Sequence, residues 1–281
     1  MSVADYAAAQ GLHRVGARPP LWNYLKQTWE RRDFTVAMAR FRIQAEQQRN
    51  RLGMLWLVLQ PSLNALVYGT IFGLLQAGSR PDGWAAYVVI GVFLFQYFSS
   101  SLNDGARSIT GNRALVQSLA FPRITLPISV VLENLMALLP MLAVMVTAVL
   151  VMGYPPSWEW LLMVPLLALY TLFNTGIALI AARLTVHVRD LTQVLPFVNR
   201  MLFYTSGVLF AVDKILASYP WLVRLYDFHP LYQVLQIARG LLMHRGEYSL
   251  HYWLYFALWS VVTFVVGLLF FWVAEERYGR E

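Results

Sequence analysis

The sequence predicts an all-α integral membrane protein with six transmembrane helices. Three observations carry this prediction: 58% of the 281 residues are hydrophobic, only 13% are charged, and the charges cluster between long apolar runs. A soluble domain carries about a quarter charged residues. A bilayer core about 30 Å thick needs roughly 20 apolar residues per helix, and several runs of that length are present. A soluble fold is therefore excluded.

Six apolar runs mark the predicted spans. They lie at residues 53–76, 84–102, 124–152, 160–182, 194–212 and 252–274. Between the last two, residues 213–250 hold an apolar stretch that is too short to cross and is interrupted by Arg239. This stretch predicts one or two short helices that dip back into the membrane as re-entrant segments. The chain then divides into an N-terminal segment (1–52), a membrane domain (53–274) and a tail (275–281).

The N-terminal segment predicts an amphipathic helix. Trp22, Leu25 and Trp29 recur at helical spacing, and arginines occupy much of the remaining surface. Tryptophan together with arginine is typical of a helix that lies in the membrane interface and contacts lipid. A small cytoplasmic helical hairpin is the alternative.

The distribution of basic residues predicts the orientation. Of the 22 lysines and arginines, 17 fall on the side that holds residues 1–52, 103–123, 183–200 and the tail, and five fall on the other side. Cytoplasmic loops carry such an excess, so both termini are expected in the cytoplasm. The net charge of +7 is thereby explained by orientation, and no nucleic-acid partner is expected.

The loop at 103–123 predicts a short amphipathic helix on the cytoplasmic side. Leu115, Leu119 and Phe121 form an apolar stripe, and Pro122 ends the helix before the third span. An exposed helix of this kind is a docking element for a partner or for lipid. An ordinary connecting turn is the alternative.

Four short motifs in order resemble the permease subunits of type-2 ABC exporters that move lipid-linked polysaccharides and teichoic acids. The motifs are Leu52-Gly53-Met54-Leu55-Trp56 with Gln60-Pro61, Phe121-Pro122-Arg123 with Leu126-Pro127, Arg189-Asp190-Leu191, and His229-Pro230-Leu231-Tyr232 with Arg239-Gly240. His229 stands where that family usually has asparagine. The resemblance covers residues 30–281.

The resemblance implies a homodimer in the bacterial cytoplasmic (inner) membrane, with the conduit at the dimer interface. Two copies of a cytoplasmic ATPase would bind ATP and magnesium and would move coupling helices in the permease. The implied coupling residues are Arg113, Leu115, Gln117, Leu119, Phe121, Arg189, Asp190 and Leu191. The implied substrate is a polyprenyl-diphosphate-linked polysaccharide such as O-antigen, galactan or teichoic acid, as in lipopolysaccharide biosynthesis. Candidate residues to attract its diphosphate, from position and charge, are Arg31, Arg32, Arg40 and Arg42.

An internal comparison is consistent with two docking points. Residues 113–121 and 189–197 align with arginine, leucine, glutamine, leucine and phenylalanine at matching positions. Chance similarity between two helices at the membrane boundary is the alternative explanation.

Aromatic side chains and one intramembrane acid are the candidates for a substrate path. Aromatic rings can stack on sugar rings, although most aromatic residues in membrane proteins face lipid or pack. The candidates are Phe93, Phe95, Tyr97, Phe98, Phe203, Tyr204 and Glu133. Glu133 lies about 15 Å into the third span. It either contacts substrate or an arginine, or it is a hydrogen-bonded packing residue beside Asn134.

The sequence lacks the glycine-rich phosphate-binding loop of nucleotide-hydrolysing proteins. We therefore expect no ATP hydrolysis and no bound cofactor in this chain. It has no cysteines, and its five histidines show no ligand spacing, so no metal site is expected. A drug or lipid exporter of the same superfamily is the alternative function. A polyprenyl-dependent membrane enzyme is the alternative from a different class, but the loops offer only isolated acids for such chemistry.

Overall fold

The computed structural model describes residues 19–49, 52–53, 55–76, 78, 80–119, 121–243, 250–275 and 278, with the backbone alone at 46–49. This part of the chain is helical and contains no strand. The α-helices are α1 (Leu21–Glu30), α2 (Arg32–Arg49), α3 (Leu55–Leu75), α4 (Trp84–Arg107), α5 (Arg113–Ser118), α6 (Thr125–Val151), α7 (Met163–His187), α8 (Leu191–Thr205), α9 (Val212–Ile215), α10 (Pro220–Tyr226), α11 (Pro230–Met243) and α12 (Leu250–Val273). Short 3-10 helices occupy Thr110–Asn112 and Trp158–Leu162.

Five helical segments in the described part of the chain are long and apolar enough to cross a membrane. They are α3, α4, α6, α12 and the segment Trp158–His187, which joins a 3-10 helix to α7. The all-α membrane fold is thus confirmed, and the predicted bounds of four spans agree within about two residues at most ends. The second and fourth spans were each predicted five residues too short at their C-terminal ends, since α4 continues to Arg107 and α7 to His187.

The prediction of a fifth span at 194–212 was wrong in its bounds. Helix α8 has 15 residues, whereas a full crossing needs roughly 20. Its length of about 22 Å is shorter than a bilayer core of about 30 Å. It ends at Thr205 because Gly207 adopts a φ of +70°, a left-handed conformation that glycine tolerates. Three short helices, α9 to α11, follow in the described residues instead of the one or two expected.

Helix α4 is the centre of the bundle. It packs against α3, α6, α7, α8 and α11. In its most apolar stretch of 18 residues 72% are buried, against 17% in the corresponding stretch of α3. Helix α11 is buried along nearly its whole length among α4, α7 and α12. The most extensive helix pair is α7 with α12, which approach closely at Gly176 and Gly267, where an added Cβ would lie 2.5 Å from backbone atoms of the other helix.

A second, smaller core closes one end of the bundle, here called the inner end. It joins α1, the segment 109–126 and the ends of α7 and α12. In the N-terminal segment the predicted single helix is two, since the chain breaks at Arg31 between α1 and α2. Leu25, Phe34 and Met38 pack on this core, whereas Trp22 and Trp29 are exposed.

Backbone carbonyls between α8 and α9 are bonded by side chains from α4, from α11 and from the residue that follows α3. Arg239 donates to the carbonyls of Gly207 and Val208, each at 3.0 Å, and also to that of Tyr87. Tyr87 donates to the carbonyls of Gly207 and Phe210, and Gln76 donates to that of Leu209 at 2.9 Å. Each carbonyl of this 207–210 loop is therefore satisfied.

Replacing Arg239 with methionine is expected to destabilise the protein. The change keeps an unbranched apolar stem but removes the donor to the Val208 carbonyl and one of the two donors to the Gly207 carbonyl. A buried unsatisfied polar group costs about 1–3 kcal/mol. The thermal unfolding of purified protein in detergent measures the loss. Arg224→Met, an exposed position on α10, is the matched control. Equal melting temperatures for the two variants would contradict this account.

Candidate functional site

The first inner-end loop is the predicted docking element, and it is only partly a free surface. It consists of the 3-10 turn, the six-residue α5 and an extended segment that begins at Leu119. Leu119 is 51% exposed, and Arg113 and Gln117 are also exposed. Leu115 is half-buried against the second core, and the side chain of Val116 is buried.

Phe121 is 8% exposed, with its ring 5.6 Å from that of Phe34. The predicted apolar stripe is therefore divided. Leu119 remains available to a partner, whereas Leu115 and Phe121 hold the loop to α2 and to the bundle.

A buried polar cluster ties this loop to both ends of the chain. The Tyr24 hydroxyl donates to Glu275 Oε2 at 2.7 Å and accepts from the Ile124 amide at 3.2 Å. The Arg123 amide donates to Glu275 Oε1 at 3.0 Å, and the Arg123 guanidinium lies 3.5 Å from the same oxygen. The third residue of the Phe-Pro-Arg motif is therefore an ion-pair partner of the segment after α12.

Burial dominates the electrostatics of this cluster, which we call the junction. It raises the pKa of the Glu275 carboxyl, while the hydrogen bond from Tyr24 and the charge of Arg123 oppose that rise. Burial and the Glu275 carboxylate raise the pKa of Tyr24 well above its ordinary value. The sequence analysis did not identify Tyr24 or Glu275, because 251 residues separate the two partners.

The second predicted docking loop lies between α7 and α8 and is open. Arg189 and Asp190 are exposed and Leu191 is half-buried at the start of α8. The internal alignment with the first loop does not extend to structure. Phe121 is buried in the connection between α5 and α6, whereas its counterpart Phe197 is 63% exposed in the middle of a helix.

The predicted substrate-path aromatics separate into two groups. Phe95, Phe203 and Tyr204 come together with Tyr68, a residue that the sequence analysis missed, with the ring of Phe203 5.1 to 5.6 Å from the other three. Phe93, Tyr97 and Phe98 are buried in the main core. Of these, Tyr97 and Phe98 pack against aromatic residues of α7.

The first group lines a cavity of about 150 Å³ between α3, α4 and α8. Asn64, Gln96, Asn199 and Arg200 supply polar groups to the same cavity. The Asn199 side chain is 6% exposed and has no hydrogen-bond partner among the described residues. We call this surface the aromatic wall. It combines rings that can stack on sugars with amide and guanidinium groups that can bond to hydroxyls.

Glu133 lines a separate and larger cavity of about 500 Å³ between α2, α3, α4 and α6. Arg42 lies 3.6 Å from its carboxylate. Of the sequence alternatives for Glu133, the structure thus places it beside an arginine and facing a cavity. The other diphosphate candidates, Arg31, Arg32 and Arg40, are exposed at the inner end; the guanidinium of Arg32 lies 5.4 Å from the ring centre of Trp29.

Residues 34–243 match the ABC-2 type transporter family. The chain belongs to this family. The match spans α2 to α11, so it includes both inner-end loops, the aromatic wall and the cavity at Glu133.

Curated relatives of this ABC-2 transporter chain are named as export or transport proteins. It is 28% identical to the O-antigen export system permease protein RfbA of Klebsiella pneumoniae over 249 residues, which is 88% of this chain and 94% of the relative. It is 26% identical to the protein of that name from Myxococcus xanthus, over 68% of this chain and 73% of the relative. It is 28% identical to the polysialic acid transport protein KpsM of Escherichia coli, over 80% of this chain and 87% of the relative.

Breaking the junction from one side is expected to cost more than removing both partners. Arg123→Met leaves the Glu275 carboxylate buried without its cation, a loss of about 3–5 kcal/mol in buried pairs. In a protein that already carries Glu275→Gln, the further change Arg123→Met should lower the stability by less than it does in the natural protein. The measurement is a double-mutant cycle on unfolding in detergent, and additive losses would contradict the ion pair.

The junction also sets the sign of a pH dependence. The raised pKa of Glu275 means that its contribution to stability is full below the unfolded value of about 4.3 and is lost as pH rises through the folded value. Glu275→Gln should remove this part of the pH dependence in the same unfolding measurements.

Proposed function

We propose that the chain is the permease subunit of an ATP-driven exporter of polysaccharide linked to a polyprenyl diphosphate. The observation that carries the proposal is the match to named polysaccharide export permeases over most of the length of both chains. The aromatic wall supports it, because its rings can stack on sugars while its amide groups and the guanidinium of Arg200 can bond to sugar hydroxyls.

The proposed assembly is a homodimer with two cytoplasmic ATPases in the bacterial inner membrane. One chain leaves the aromatic wall open on one side, since Tyr204 is 41% exposed. Among the described helices, α3 packs mainly against α4 and α6, which leaves its remaining surface uncovered. A second copy facing α3 and α8 would enclose the path. The ATPases would supply ATP and magnesium and would dock on the first and second inner-end loops.

In this proposal both termini are cytoplasmic. Helix α8 also crosses the membrane, as the fifth span in chain order, which brings the number of crossings to six. The helix is short, but the 207–210 loop continues its path inside the protein, where irregular backbone is tolerated if its polar groups are bonded. The exposed Arg31, Arg32 and Arg40 would attract the diphosphate at the inner leaflet.

Single cysteines test the topology, since the natural sequence has none. Cysteines at Arg113 and Arg189 should be labelled from the cytoplasm, and those at Asp82 and Glu159 from outside. A cysteine at Trp221, an exposed position beyond α8, should also react from outside. Cytoplasmic labelling at 221 would mean that α8 does not cross, and external labelling at 113 would remove the first loop as a docking element.

Leu119→Ser should uncouple the ATPase. Burying a leucine against a partner contributes about 1.5–3 kcal/mol, so binding should weaken roughly ten- to hundredfold. Co-purification of the ATPase and accumulation of lipid-linked glycan on the cytoplasmic face measure the effect. Leu161→Ser, another exposed leucine at the predicted opposite end, is the control. Full export with Leu119→Ser would exclude docking at this loop, and export of the glycan by cells that lack the permease would contradict the proposed function.

A further inference from the structure

The cavity at Glu133 has the composition of a ligand site within an otherwise apolar bundle. Its volume of about 500 Å³ falls within the range of small-molecule sites. Four elements contribute to it, and its polar side chains come from three helices. They are Gln60 on α3, Gln96, Tyr97, Ser100 and Asp104 on α4, and Glu133 and Asn134 on α6.

The polar groups on α4 form one face of the helix. Gln96, Ser100 and Asp104 follow at intervals of four residues, and the amide of Gln96 donates to the Ser100 hydroxyl at 3.1 Å. Asn134 donates to the Asp104 carboxylate at 3.3 Å across the cavity. The face extends about 12 Å along α4, from the aromatic wall, which Gln96 also lines, toward the inner end.

The backbone adds a further acceptor. Pro61 lines the cavity from within α3 and has no amide hydrogen, so it cannot donate to the Leu57 carbonyl, as an ordinary residue at this position would. Leu57 lines the same cavity. Polar and ionisable groups inside a membrane are costly, and they are retained by default for function.

The charge of the lining selects the class of ligand. Among the described residues, two carboxylates and no basic side chain line the cavity, a composition that disfavours a phosphate there. At the edge of the cavity the described Arg42 lies 3.6 Å from Glu133. Carboxylates and amides together accept from and donate to neighbouring hydroxyls. Trp56, Leu138 and Met141 supply an apolar wall that fits the carbon face of a sugar ring.

We propose that this cavity binds a sugar of the exported glycan close to its lipid carrier, before the glycan reaches the aromatic wall. The proposal rests on the proposed function. It separates recognition into two parts: the exposed Arg31, Arg32 and Arg40 meet the diphosphate, and the cavity binds the sugar hydroxyls. These arginines lie at the inner end of the bundle, and the cavity begins beside α2 and the start of α3, where a carrier in the inner leaflet would present its first sugars.

The test compares two lipid probes on the purified permease–ATPase complex in lipid nanodiscs. One probe is polyprenyl diphosphate without sugar, and the other is the lipid-linked glycan extracted from source cells that lack the permease. Two variants act differently on the cavity. Asp104→Asn with Glu133→Gln removes both charges, and Ala137→Phe fills the space while it keeps every polar group. Glu159→Gln, an exposed carboxylate outside the cavity, is the control for the loss of a carboxylate elsewhere on the protein.

Both cavity variants should bind the lipid-linked glycan about tenfold more weakly. The double variant weakens one or two good hydrogen bonds to charged acceptors, and in Ala137→Phe the ring occupies the space of the sugar. Both variants should bind polyprenyl diphosphate as the natural protein does. Unchanged glycan binding in both variants would overturn the cavity proposal while the proposed function stands. An equal loss of affinity for both probes would also overturn it, since the cavity would then bind the carrier itself or be needed only for folding. Failure of the unaltered complex to bind or export the glycan would instead contradict the proposed function.

Discussion

The four bonded carbonyls of the 207–210 loop are the constraint on which the membrane body depends. A helix that ends inside a bilayer leaves carbonyls that no water can reach, and each unsatisfied group costs several kcal/mol. Here Gln76, the residue after α3, Tyr87 of α4 and Arg239 of α11 bond to the loop. The guanidinium also lies 3.4 Å from the centre of the Tyr87 ring. The end of α8 is thereby held to α4, to α11 and to the residue that follows α3, and the Arg239 motif has a physical role.

This anchor positions the surface that would meet substrate. Because the end of α8 is held to α3 and α4, Phe203 and Tyr204 face Tyr68 and Phe95 across a narrow cavity. Gly91 is part of the same arrangement, since a Cβ there would lie 2.6 Å from the Arg239 guanidinium. The fixed end of α8 therefore positions the aromatic wall beside it.

The inner end follows a different principle, in which charge pairs join segments that are far apart in sequence. The junction holds α1, the start of α6 and the segment after α12 together through Tyr24, Arg123 and Glu275. A push on the first loop would therefore be transmitted to α6 through Arg123 and Phe121, which are both fixed. A partner that displaces the exposed Leu119 would thus act on a loop that is fixed to the bundle, as a coupling loop requires.

The sequence by itself determined the membrane class, the positions of most long helices and the two loops, because bilayer thickness and apolar run length are local properties. It also indicated Glu133, since an acid within an apolar run is visible without a structure. Only the tertiary structure decided which aromatics form a wall and which are core, that Phe121 is buried, and that Tyr24 meets Glu275. It also shortened the fifth predicted span, because its apolar run continues past Thr205 while Gly207 and the side chains that bond the next carbonyls end the helix. Periodicity records how a residue suits its own helix, whereas partners across the bundle are chosen by packing and by the need to satisfy every buried polar group.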